Sequence, residues 1–438
     1  MRRRSFLFGA ISAAWTRPLP GWAAQGPLGT IAYIQHDGLW IRELPNGTPH
    51  RIVSRTKIDS PRFSASGKWI TYFRHDVLHV ASTGGGDVQL LGKPDRGSAA
   101  PGVQWWPASD DLFVEGPAGV NLFTADNGWR SVVRKIGGAS LPVAFNPDGN
   151  EIVYGDAFVG GRGPGGEPMR TGRLCRLSLR RPDSKPKALS SKDLSGKIPC
   201  VWSRSGRHVV FWEDPDYSAS AIADGLELFR IPVGGGSPQS LGVSTFVRND
   251  MLSLLPSQDI LAVSTGGGRN EWEEKRIASI DVETAAMSFL TENNMAAVCP
   301  AWAPGGNAIA YSAAPCPTAG SGIGGGEQAR HLLAKRRIWV MDVEGTYAPR
   351  RLTSDPKYRD EEPMWSADGK HILFCRIAND NSETLWLMGA DGTDAVQVAR
   401  LCIDPGSPGV EDSWWGYYGY IDWRAAFDWF RGPNAKIE

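Results

Sequence analysis

One short module recurs along this chain, and no other feature of the sequence restricts the fold as tightly. Its clearest copy is Glu362-Pro363-Met364-Trp365-Ser366-Ala367-Asp368-Gly369, followed by His371-Ile372-Leu373-Phe374. Further copies occupy residues 299–311, 60–72, 141–154 and 198–211, and weaker ones centre on Trp106 and Leu255. Each element has a physical purpose. Proline opens a strand where its missing N–H costs least. An aromatic two or three positions later faces the core. Ser-x-Asp-Gly or a variant then reverses the chain, with Gly supplying the positive φ that the tight turn needs. A β-branched and aromatic run returns as a second strand.

A third strand follows in most units, often with Trp, as in Leu39-Trp40-Ile41, Ile338-Trp339-Val340 and Leu385-Trp386-Leu387. Another Gly turn and a short fourth strand such as Arg351-Leu352-Thr353 end the unit. Four antiparallel strands per repeat make a propeller blade. The composition agrees: 52 Gly, 31 Pro and 18 Trp suit many turns and flat side chains packed sheet on sheet.

Seven core markers, Phe63, Trp106, Phe145, Trp202, Leu255, Trp302 and Trp365, fall about 50 residues apart, a normal blade length. Residues 30–34, 38–44 and 50–54 read as second, third and fourth strands with no first strand ahead of them. Residues 420–424 read as a first strand with nothing after it. Joining the two ends completes one shared blade and removes open sheet edges. The expectation is an all-β, single propeller of eight blades, with seven the alternative because the Trp106 and Leu255 units are degenerate.

The module resembles the TolB-like propeller repeat, an acidic residue and Pro followed by Trp-Ser-Pro-Asp-Gly and a β-branched return strand. Asn146-Pro147-Asp148-Gly149 and Trp365-Ser366-Ala367-Asp368-Gly369 are its best instances. The resemblance implies a propeller domain over residues 24–438. Similar repeats occur in periplasmic TolB, in prolyl-oligopeptidase-type enzymes and in oligogalacturonate lyases. Here strand-like sequence begins where TolB itself has an α/β domain, and no Gly-x-Ser-x-Gly elbow marks a serine peptidase.

The first 23 residues read as a signal peptide. Arg2, Arg3 and Arg4 precede an apolar stretch from Phe6 to Trp15, and Gly21-Trp22-Ala23 offers a small-x-small cleavage site. Arg3-Arg4-Ser5-Phe6-Leu7 resembles the twin-arginine signal, with an ordinary secretory signal as the alternative. The expected address is the periplasm or the exterior. No later apolar run approaches the roughly 20 residues of a transmembrane helix. Lys+Arg and Asp+Glu balance at 47 each, and without a basic stripe nucleic acid is not an expected partner.

Six cysteines form no Cys-x-x-Cys pair, so zinc and thioredoxin-type chemistry have no support. An oxidising compartment permits disulfides, and Cys299 with Cys316 is the candidate pair, with buried free thiols the alternative.

Long connections between second and third strands, residues 156–173, 214–225, 266–275 and 313–336, all belong to one face of a propeller, and two are Gly-rich, at 160–166 and 320–326. Polar candidates gather on that face: His36 and Asp37, His75 and Asp76, Glu213, Asp214 and Asp216, Arg269 and Trp272, and Arg359 with Asp360. As chemistry, His-Asp pairs with carboxylates hold a divalent metal or exchange protons; as structure, they cap loops and form rim ion pairs. The aromatic segment 414–420 reads as a stacking patch or as part of the closing strand. The expectation is a monomeric, non-catalytic module that binds a protein or envelope component and needs no cofactor. The alternative is a metal-assisted lyase or hydrolase of oligosaccharides, with a divalent ion.

Overall fold

The repeated turn sets the geometry. In five units the Gly N–H donates to the carbonyl three residues back: Gly67 to Ser64, Gly149 to Asn146, Gly206 to Ser203, Gly306 to Ala303 and Gly369 to Ser366, at 2.8–2.9 Å. The first side chain of the turn accepts from the returning strand, as Ser203 Oγ does from His208 N and Ser366 Oγ from His371 N, both at 3.0 Å. The polar residue at that position and the Gly three later are therefore one unit.

A computed structural model describes residues 26–86, 88–94, 102–162, 168–215, 217–316, 326–343, 348–403 and 413–432. Its strands form eight four-stranded antiparallel sheets, the eight blades of a propeller. Blade 1 joins the chain ends, with Phe427–Phe430 innermost, then Thr30–Gln35, Gly38–Glu43 and His50–Val53. Blades 2 to 8 are continuous, with innermost strands Ile58–Phe63, Val103–Trp105, Ala139–Phe145, Gly196–Trp202, Leu252–Leu254, Met295–Trp302 and Tyr358–Trp365. All seven sequence markers sit at the last position of an inner strand or one beyond it.

Two expectations need correction. Residues 420–424 are not the closing strand: Thr30 pairs with Phe430 and Tyr33 with Phe427. Phe430 occupies the marker position, and its ring lies 5.7 Å from that of Phe63 in the next blade. The connection 156–173 is not simply a loop, because Glu151–Arg162 and Pro168–Ser178 continue as a long hairpin. Among the other three connections of that face, one holds helix α1 (Ala219–Asp224) and one helix α2 (Glu327–Leu333).

The core lies between blades. Leu112, Val209 and Ile372 are fully buried, and each such side chain contributes about 1.5–3 kcal/mol. Indoles bridge neighbours: Trp365 Nε1 donates to Ala301 O and Trp105 Nε1 to Arg62 O, each at 3.0 Å. The prolines mark bulges. Ser60, Cys299 and Glu362, each directly before Pro, adopt φ of 54°, 54° and 49° where the register with the second strand shifts. Left-handed backbone at a residue with a side chain costs on the order of 1–2 kcal/mol, and a bulge re-aims that side chain.

Candidate functional site: the strapped axial mouth

The segment ahead of the closing strand crosses the ring. Tyr420 Oη donates to Asp250 Oδ2 at 3.0 Å, just before the inner strand of blade 6. Arg62 of blade 2 donates to Arg424 O at 2.6 Å. Blades 2 and 6 stand opposite one another in a ring of eight, so residues 417–426 form a strap across one end of the axial channel. The strap precedes an inner strand and therefore lies on the face that carries the long connections. Its shape is local in origin. Tyr417 and Tyr420 exchange backbone hydrogen bonds at 2.7 and 3.0 Å, and the Asp422 carboxylate accepts from Ala425 N at 3.2 Å, capping a single 3-10 turn. Gly419 has φ of 88°, and a Cβ there would press on Leu333 and Glu271.

Beneath the strap lies a buried ionic network. Arg336 donates to Glu271 Oε2 at 2.8 Å, to Glu361 Oε1 at 2.6 Å and to Glu271 O at 2.7 Å. Arg359 donates to Glu361 Oε1 at 2.6 Å, to Trp414 O at 2.7 Å and to Gly419 O. Trp423 Nε1 completes the shell on Glu361 Oε2 at 2.8 Å. Burial opposes ionisation of Glu361, but Arg359 and Arg336 prevail and hold its carboxyl below the usual range.

Nearer the opening the balance reverses. Burial pushes Asp250 up to about 6, helped by Glu271 and Asp422 and opposed by Arg248. Glu362 accepts from Arg424 Nε, a contact that alone favours the carboxylate. Burial nevertheless pushes Glu362 up to about 7, with Asp250 and Asp422 adding to it. Arg248 stacks on the Tyr420 ring at 3.3 Å and stands 3.8 Å from Glu271. Asp422 is exposed and Arg424 one-third exposed, so solvent reaches this end of the network. The thiol at the mouth, Cys299, is pushed far up by burial and by Asp250, and stays protonated.

The residues singled out in the sequence do not converge here. Asp37 accepts from Trp40 Nε1 at 2.9 Å and from Arg51 at 2.6 Å, an exposed ion pair worth about 0–1 kcal/mol. His75 and Asp76, with φ of 51° and 61°, are the two turn residues between Arg74 and Val77. Glu213 pairs with buried Lys197, and Asp214 accepts from Ser218 N at 3.1 Å. Arg269 grips Asp224 at 2.6 and 2.9 Å.

Three of these residues are not on a loop surface. Trp272 is fully buried, its ring 5.3 Å from that of Trp415. Arg359 and Asp360 are buried as well, the first in the network above and the second clamped by Arg376 at 2.6 and 3.1 Å. A charge this deep persists because an opposite charge meets it. Asp216, Arg3, Arg4 and most of the two Gly-rich stretches lie outside the described residues.

The histidines are dispersed: His36 and His50 in blade 1, His75 and His79 in blade 2, His208 in blade 5, His331 on α2, and His371 in blade 8. Among the described residues no three His, Cys, Asp or Glu side chains form a set suited to a metal ion. No disulfide joins Cys299 to Cys316. Cys316 N bonds to Asn294 O, five residues along the partner strand from Cys299. At about 3.3 Å per residue that separation far exceeds the 7 Å limit for a disulfide.

Asp250 and Arg248 escaped sequence reading, and Tyr420 and Arg424 were read only as parts of a first strand and an aromatic segment. The one local signal was Glu362-Pro363, where an acidic residue is forced out of the strand's alternation. On the same face, Leu194 and Tyr418 expose 57% and 39% of their surface.

No protein-family model and no curated protein matches this chain. Solved structures resemble it at low identity. A eukaryotic initiation factor is 10% identical with a TM-score of 0.52, covering 88% of this chain and 90% of its own. Dipeptidyl peptidase 4 of Porphyromonas gingivalis is also 10% identical with a TM-score of 0.52, covering 84% of this chain and 57% of its own. TolB of Acinetobacter baumannii is 15% identical with a TM-score of 0.35, covering 84% of this chain and 63% of its own. The shared property is the fold. The eight-bladed ring of TolB-like repeats implied by the turn motif is the architecture observed.

Proposed function

We propose that this propeller is a non-catalytic binding module whose strap-bearing face docks a protein or envelope component. The observation that carries the reading is asymmetry. The long connections, α1, α2 and the strap share one face, while the tight Ser-x-x-Gly turns form the other. Connections that exceed what closure of a blade requires tend to be functional, and rigid blades are suited to presenting them. Leu194 and Tyr418 supply apolar anchors, with Arg269 and Asp224 as a polar rim. The oligosaccharide-enzyme alternative depends on histidines meeting in one pocket, and their dispersion over five blades gives it no specific support.

The twin-arginine reading of Arg3 and Arg4 supplies the address, the periplasm. The proposal is tested by crosslinking and pulldown from periplasmic extract with wild type and Leu194→Asp/Tyr418→Ala. Specific partner recovery that the double variant loses while staying folded supports docking by this face. Equal recovery by both proteins, or none from either, refutes it. Conversion of Arg3 and Arg4 to Lys should leave the protein in the cytoplasm, and unchanged export would refute that route.

A further inference from the structure

One cluster outside the strap joins a sulfur nucleophile to a base. Leu401 N donates to Glu383 O at 2.9 Å and Cys402 N to Ile34 O at 3.0 Å. These two bonds pin the chain across the seam between blades 8 and 1, where Cys402 Sγ lies 3.2 Å from His36 Nδ1. A third group stands beside them. Burial pushes the Glu383 carboxyl up, opposed by a hydrogen bond from the Ser413 side chain and by the charge of His36. Asp37, adjacent to His36, is committed to Arg51 and Trp40. A nucleophile with a base within reach of it makes the arrangement that activates a thiol.

The other five cysteines differ. Cys175, Cys299 and Cys375 are buried. Burial pushes the Cys175 thiol up to about 11 and raises Cys200 and Cys316 as well. Cys402 is partly exposed and its imidazole partner is exposed.

We infer that Cys402, held against His36, is a reactive thiol that takes small disulfides into mixed-disulfide linkage. The Cys402 thiolate attacks one sulfur of R–S–S–R, the new Cys402–S–S–R bond forms as the old S–S bond breaks, and RS⁻ leaves to be protonated by solvent. No other oxidant is needed, because the incoming disulfide is reduced by the two electrons the bond exchange moves. The inference does not depend on the docking face, since Cys402 is required for neither the strap nor its network.

The test is the reaction of the folded full-length chain with two disulfide probes, 5,5′-dithiobis(2-nitrobenzoate) and cystine, followed by peptide mapping. With the imidazole 3.2 Å from the sulfur, the expected reaction at pH 6.5 is about fivefold faster than that of an ordinary exposed thiol. The expected result is one fast equivalent on Cys402, with a rate nearly flat from pH 7 to 9. His36→Ala should slow the reaction at pH 6.5 and restore a steep rise with pH. Modification of another cysteine first, a wild-type rate that climbs through pH 8–9 like a free thiol, or no effect of His36→Ala overturns the inference. His36 is an exposed turn residue, so its variant should keep the fold; circular dichroism checks that independently.

Discussion

Glu362 should make the stability of this protein fall as pH rises through neutrality. In the unfolded chain its carboxyl titrates at the ordinary value of 4.5, and in the folded ring at about 7. Between those limits the folded state keeps a proton that the unfolded state has released. Unfolding is then favoured by each increment of pH, so the stabilisation is complete below 4.5 and gone above 7. A displacement of that size corresponds to about 3 kcal/mol at 1.36 kcal/mol per pKa unit. Glu362 is buried, so solvent screening takes little from this figure. Asp250, moved from 3.8 to about 6, acts with the same sign but completes its change lower. The two can therefore be separated. Guanidinium chloride unfolding followed by tryptophan fluorescence, at pH 5, 6, 7 and 8 and constant ionic strength, should give wild-type midpoints that fall across the series. Glu362→Gln has no proton to lose and should flatten the segment from pH 6 to 8, leaving the Asp250 contribution below 6. The reasoning fails if the wild type is flat or more stable at pH 8, or if Glu362→Gln keeps the full slope.

Three further outcomes are expected. Glu361→Gln strips the shared carboxylate from Arg336 and Arg359 and should cost about 3–5 kcal/mol, whereas Asp37→Asn on the exposed rim should cost under about 1 kcal/mol in the same denaturation assay. Phe427→Asp places an unpaired charge at a fully buried position of the closing strand, and should open the ring, seen as lost cooperativity and rapid proteolysis; an unchanged melting profile would contradict the closure described. Because Cys299 and Cys316 are not bonded, dithiothreitol should leave the thermal midpoint of the purified protein where it was.

The blades were legible because their signals are local. Ser366, Gly369 and His371 meet within five residues, and the periodic marker ahead of them needs no distant partner. The closing strand was misplaced because residues 420–424 and Phe427–Phe430 both alternate apolar and polar. The choice between them rests on pairing with Tyr33 and on the Asp422 cap, the first of which is remote in sequence. The ionic network was hidden for a similar reason. Arg359 and Asp360 read as polar candidates on the loop face, yet beside them Glu361 finds Arg336 25 residues away and Trp423 62 away. Arg336 in turn reaches Glu271 across 65 residues. Charge that is buried by distant partners leaves no trace in the spacing of its own neighbours.

Closure of blade 1 by the far end of the chain also sets a clock. Tyr33 is made 394 residues ahead of its pairing partner Phe427. At about 5–20 residues per second the delay is roughly 20–80 s, long beside the microseconds a hairpin takes to form. Throughout it the strand Thr30–Gln35 presents an unpaired edge, open to any other extended chain. The vulnerable period of this protein thus belongs to its birth rather than to its folded life, and whatever shields that edge must act before the ring exists.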